Sequence, residues 1–177
     1  YRLGRVRLER LEDMAGAIDC YREILVLDSE HEGARGALEQ LLEGDHPLRG
    51  DVARILDPIY QTQEEWQKLI GVLEILLEHE EDVAEKVALL MRAGEIHAQQ
   101  LQDLEASFEA FKRALQADPS SEDARNNLAE LAGALEWWTQ LAEVFEWAAG
   151  QVEDMALARE LWLLDAQVRW DQLEDAD

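Results

Sequence analysis

The chain repeats itself, and the repeat limits the fold more than any other feature. Shifted by 90 residues against itself, Arg2 falls on Arg92, Gly4 on Gly94, Leu11 on Leu101 and Asp13 on Asp103. Further along the same register Leu25 meets Leu115, Asp28 meets Asp118, Ala34 meets Ala124, Arg35 meets Arg125 and Leu38 meets Leu128. Tyr21 meets Phe111. A second offset, 72, relates the segment from Glu64 onward to the segment from Glu136 onward. There Trp66 falls on Trp138, Leu69 on Leu141, Val72 on Val144, Leu73 on Phe145 and Asp82 on Asp154. The offsets differ by 18 residues, the length of a helix and a turn. An insertion of that size therefore lies around GDHPLRGDVARILDPIYQ, ahead of Trp66. Periods of this size mark stacked units, none of which can bury its own apolar face alone.

Each unit is helical. Ala, Leu, Glu and Gln dominate, Pro is rare (3), and hydrophobic residues reach 47% of the 177 residues. These residues favour helix, and that much apolar content supports a core. Apolar residues recur at spacings of 3 and 4, as in Trp66, Leu69, Ile70, Leu73, Leu76 and Leu77, or Phe108, Phe111, Ala114 and Leu115. Ser29-x-x-Glu32, Thr62-x-x-Glu65 and Asp82-x-x-Glu85 read as helix-opening capping boxes. Pro119 ends a helix near Ala117, because the residue before a proline avoids the α region. The pattern predicts ten helices, near 2–12, 15–28, 31–43, 49–61, 64–79, 83–101, 104–117, 121–133, 136–150 and 155–173. The sequence thus predicts an all-α chain.

The motif in these helices resembles a known family. Ser107-Phe108-x-x-Phe111-x-x-Ala114-Leu115-x-x-x-Pro119 is similar to the second helix of a tetratricopeptide repeat. Ala17-Ile18-x-x-Tyr21-x-x-Ile24-Leu25 resembles the same helix, with Ser29 in place of the proline. Ala93-Gly94 and Leu3-Gly4 resemble the glycine-bearing first helix. In both copies the distance from glycine to aromatic is one residue longer than the family's, and the extra residue is expected between Gln99 and Glu105. The resemblance implies a right-handed α-solenoid of antiparallel helix pairs, a tetratricopeptide-like superhelix of about ten helices. Residues 1–177 would be one segment of a longer repeat protein. Its units would be about 1–28, 31–79 with an inserted helix near 48–61, 83–119, 121–150 and an incomplete 154–177.

The resemblance also implies a function class: a scaffold that takes a peptide or a partner helix in a concave groove lined by first helices. The implied groove residues are Met91, Glu95 and Ala98, with Ala88 and Gln99 beside them, and their counterparts Leu163, Gln167 and Trp170, with Glu160 and Asp171. No Lys/Asn/Arg cluster stands at these positions, which argues against a carboxylate-terminal peptide. The alternative is a structural spacer or regulatory arm of a larger multidomain protein, with no ligand on this segment. Of the tryptophans, Trp66, Trp138 and Trp162 are expected in the core, and Trp137 and Trp147 partly exposed. Leu161, Leu164 and Val168 are expected to seek a further surface, so self-association through the C-terminal end is anticipated.

Charge bounds the partners. There are 16 Lys and Arg against 40 Asp and Glu, a formal charge of -24. Such a chain lacks the basic footprint that phosphate binding needs, so nucleic acid and anionic membrane are not expected partners. A protein or peptide, including a basic one, is. The single cysteine, Cys20, allows no internal disulfide and has no local His to activate it. The histidines (His31, His46, His79, His97) form no metal-binding motif, and neither a phosphate loop nor a nucleophile elbow is present. No enzyme activity, cofactor or metal is expected. No apolar run approaches the length of a membrane span. No signal peptide is recognisable, which carries little weight because the chain is expected to be a segment of a longer protein. The expected compartment is cytoplasmic.

Overall fold

The computed structural model describes residues 1–173 and is all-helical, with no strand among them. Its ten helices are α1 (Arg2–Arg10), α2 (Met14–Leu27), α3 (Glu32–Leu42), α4 (Arg49–Thr62), α5 (Trp66–His79), α6 (Val83–Ile96), α7 (Leu104–Ala117), α8 (Glu122–Leu135), α9 (Trp138–Gln151) and α10 (Met155–Gln172). Packing divides the chain into two compact units, α1–α5 and α6–α10, with the boundary after His79. In the first, α1 packs on α2 and α4 on α5, with α3 between α2 and α4. In the second, α6 packs on α7, α7 on α8, and α9 chiefly on α10. The end of the last expected unit, 174–177, lies outside the described residues.

The repeat is written in the backbone as well as in the side chains. Among the described residues, four that are not glycine have positive φ: Glu12 and Gln102, 90 apart, and Glu64 and Glu136, 72 apart. Each ends a helix in the left-handed region, which satisfies otherwise orphaned carbonyls. Glu65 N–H donates to Tyr60 O at 2.9 Å, and Trp137 N–H donates to Ala132 O at 3.0 Å, the 6→1 bond of a Schellman cap. Asp13 N–H reaches Arg7 O, and Asp103 N–H reaches His97 O, at 3.0 and 2.9 Å. The extra residue found in the sequence is absorbed here: α6 widens into a π-helical turn, His97–Leu101, before Gln102 closes it. Asp13 and Asp103 then cap α2 and α7 by accepting from Gly16 N–H and Ala106 N–H.

Two of the three expected capping boxes do not form. Asp82 caps α6 through Glu85 N–H as expected. His31, not Ser29, caps α3: its Nδ1 accepts from Ala34 N–H at 3.1 Å, where the second copy uses Ser121. Thr62 is the last residue of α4, and its hydroxyl turns back to Pro58 O at 2.8 Å, so it opens nothing.

The core is continuous within each unit. Ala17, Tyr21, Leu25, Leu38, Leu56, Leu69 and Leu73 are buried in the first, and Phe108, Phe111, Leu115, Leu128, Leu141 and Phe145 in the second. The close contact of α6 with α7 depends on Gly94, because a Cβ there would stand 2.6 Å from the Phe111 ring. Gly4 and Tyr21 repeat the arrangement between α1 and α2 at 2.7 Å. Trp66 and Trp138, expected in the core, are only half-buried, because each begins its helix, where fewer neighbours surround it.

Candidate functional site

The expected groove residues lie on α6 and α10. Asp154 opens α10 by accepting from Ala156 and Leu157 N–H. Leu161 is fully buried, and Asp165, also buried, accepts from Arg169 Nε at 2.8 Å. Leu161 therefore packs on its own neighbours instead of seeking a further surface; Leu164 and Val168 are half-buried. With Leu161 turned inward, the next residue is rotated by roughly 100°, which sends Trp162 outward. Trp162 is 47% exposed, against the expectation that it would be core. Leu163 (60%) and Trp170 (69%) share that side, and Met155 (83%) extends it. These four lie at helical spacings on one face, an exposed apolar stripe with two indoles.

The α6 set is less coherent. Met91 is half-buried and Glu95 exposed, on consecutive turns of the α-helix. Ala98 is half-buried and Gln99 exposed, but both fall inside the π turn. The wider turn shifts the register, so the spacing of 3 and 4 that linked them to Glu95 does not carry through. The cleft beside α10 contains Gln167 and Asp171 and none of the α6 set.

That cleft has a volume of about 250 Å³ and lies between α8, α9 and α10. Trp138, Leu141, Phe145 and Val168 give it an apolar lining; Arg125, Asn126, Gln167 and Gln172 give it polar groups. Arg125 is only 7% exposed, and its Nη1 donates to Glu160 Oε1 at 2.7 Å. Its Nε–H is buried and has no acceptor among the described residues. The repeat alignment marked this arginine as shared with Arg35 but carried no sign that its surroundings had changed.

In the first unit the inserted α4 creates two concavities absent from the expected groove. An apolar groove of about 390 Å³ between α2 and α4 holds Leu25, Val26, Ile55, Pro58 and Ile59, flanked by Arg22 and Arg54. A second, of about 520 Å³, contains Glu39, Tyr60 and Lys68. Tyr60 O–H donates to Glu39 Oε1 at 2.9 Å, Lys68 Nζ donates to the same oxygen at 3.0 Å, and Lys68 also reaches Glu65 at 2.7 Å. Burial works to raise the Glu39 pKa, but the hydrogen bonds from Lys68 and Tyr60 outweigh it and hold the carboxyl below its ordinary value. Burial, then the bond to Glu39, pushes the Tyr60 hydroxyl upward; bonds to Glu65 and Glu39 push Lys68 upward. Glu39, Tyr60 and Lys68 are each thus held more firmly in the state they already have at neutral pH. The cluster ties α3, α4 and α5 together and offers no proton to a substrate.

Of the remaining titratable candidates, His46 and His79 bond main-chain carbonyls at 2.8 Å, while Cys20 and His97 are half-buried and the His97 Nδ1 has no partner among the described residues. Among the described residues no group of three or more His, Cys, Asp or Glu could hold a metal ion, and no helix is long and apolar enough to cross a membrane. No family model matches the chain, and no curated protein matches it.

Proposed function

We propose that this chain is a tetratricopeptide-like α-solenoid segment, built of antiparallel helix pairs, that serves as a protein-interaction scaffold. The observation that carries the reading is the apolar stripe of α10, where Trp162, Leu163 and Trp170 are all roughly half or more exposed. Aromatic side chains of this kind act as anchors in protein interfaces, and contiguous apolar surface is otherwise a solubility cost. The partner is a peptide or an amphipathic helix that lays its own apolar face along α10. Leu163 and Trp170 are the primary contacts, with Gln167 at the edge. Met91, Glu95 and Ala98 form a secondary surface on α6.

The spacer reading draws on the separation of the α6 set from the α10 cleft, since a single shared groove is not gathered from them. Photo-crosslinking separates the two. A crosslinker at Leu163 should capture a discrete partner at high salt, and Trp170→Ala should abolish capture, while a crosslinker at exposed Glu109 on α7 should not capture it. Equal, salt-labile capture at both positions would favour the spacer. Capture of a second copy alone would assign the stripe to self-association.

A further inference from the structure

Arg125 and Arg35 occupy the same repeat position, yet their surroundings differ at every acceptor. Arg35 Nη1 donates to the Gln63 amide oxygen and to Glu65, and Glu39, one turn further along the same helix, stands 3.9 Å from Arg35 Nε as an ion-pair neighbour. The positions that match Glu39, Gln63 and Glu65 hold Ala129, Leu135 and Trp137. None of these side chains can accept a hydrogen bond from a guanidinium, and Trp137 packs edge-on against Phe108 instead. Arg125 keeps one carboxylate, Glu160, contributed by α10. Missing relative to Arg35 are the amide acceptor at Nη1 and the second carboxylate, the one that faces Nε. The replacement of Glu39 by Ala129 leaves space as well, for Ala129 lines the cleft on which Arg125 opens.

We propose that the α8/α9/α10 cleft is a peptide-binding site in which an uncharged amide carbonyl bonds to Arg125, while an adjoining aliphatic side chain packs on Trp138 and Phe145. Buried donors in folded proteins are almost always paired, and a guanidinium with an unfilled Nε–H beside a cleft is primed to donate to an amide carbonyl there. Binding turns the guanidinium toward the cleft, and exposed Glu160 follows it. The ligand is an amide and not a carboxylate. Glu160 already neutralises Arg125, Asp171 stands on the rim, and the chain carries -24. Around Arg35 two carboxylates are balanced by Lys68, but the matching residue here is Gln140. Asn126, Gln167 and Gln172 supply further uncharged groups for a peptide backbone. The site deepens the scaffold reading by naming a ligand class on a surface other than the α10 stripe.

The test is an NMR titration of the Arg125 Nε–H resonance with three blocked dipeptides: acetyl-Leu-Gln, acetyl-Leu-Ala and acetyl-Leu-Glu N-methylamides. A saturable shift with the Gln peptide alone assigns the carbonyl to a side-chain amide. Equal shifts with Gln and Ala peptides assign it to the main chain. In both cases the Glu peptide should bind about tenfold more weakly. Ala129→Gln places an amide where the first copy has Glu39, and it should abolish the response without lowering the melting temperature. Tightest binding by the Glu peptide, an unchanged response in Ala129→Gln, or no shift with any peptide would overturn the proposal. Such a failure would leave the crosslinking test of the α10 stripe intact.

Discussion

Replacing Gly94 by alanine should destabilise the second unit, although every helix-propensity scale says the reverse. Gly94 lies in the body of α6, and no glycine in the chain has a positive φ, so conformational freedom is not its role. Alanine would gain about 1 kcal/mol of helix propensity there. Its methyl, however, would stand 2.6, 2.7 and 2.9 Å from three Phe111 ring atoms. Carbon atoms rest about 3.5–4.0 Å apart, so the ring or the helix must retreat by on the order of 1 Å. Phe111 is 2% exposed and has no open side to move into. Overpacking of this kind costs about 1–3 kcal/mol. Separating the helices also stretches the buried bond from Ser107 Oγ–H to Gly94 O, now 2.8 Å, which contributes about 1 kcal/mol. The net expectation is a loss of about 1–3 kcal/mol. Urea unfolding followed by circular dichroism measures it, with an unchanged m-value showing that the same transition is compared. Gly71→Ala is the control: Gly71 sits inside α5 with nothing within 4 Å of where the alanine methyl would stand, and the change should add about 0.5–1 kcal/mol. If Gly94→Ala matched Gly71→Ala in sign, the close-approach argument for both the Gly94–Phe111 and Gly4–Tyr21 contacts would be wrong.

Leu161→Ala should cost about 2–4 kcal/mol by opening a cavity under α10, while Leu163→Ser on the exposed side of the same helix should stay within about 0.5 kcal/mol, both by thermal melts. Glu136→Gly should raise stability by about 1 kcal/mol, since it relieves a non-glycine left-handed residue; a loss would mean that its side chain holds the α8–α9 turn. The Glu39 carboxyl has its pKa lowered in the folded state, so it contributes stability above its unfolded pKa that is lost as pH falls through the folded value. Glu39→Gln should therefore flatten the acid limb of the stability profile, and an unchanged limb would show that other carboxylates govern it.

Several features of the fold were legible because they depend on local chemistry. The positions of the ten helices follow from apolar spacing and from the cap at Asp82, whose side chain reaches an amide three residues away; the caps at Asp13 and Asp103 emerged only in the structure. The extra residue before Asp103 was visible as a count, and the structure takes it up in the π turn His97–Leu101. The inserted helix was legible as the difference between two offsets.

What the sequence could not carry was rotation and pairing. Helix α10 turns Leu161 inward and Trp162 outward, a choice of about 100° that depends on how α9 receives it, not on periodicity alone. Ala98 and Gln99 fall inside the π turn, where the wider winding breaks the α-helical register that the spacing from Met91 and Glu95 assumed. The alignment paired Arg35 with Arg125 by identity alone. Only packing revealed that one meets an amide and carboxylates from three sequence positions while the other keeps Glu160 and an unfilled donor. Helix formation is decided within a few residues along the chain. The surroundings of a buried side chain are decided by segments some thirty positions away, and these meet only when the helices pack.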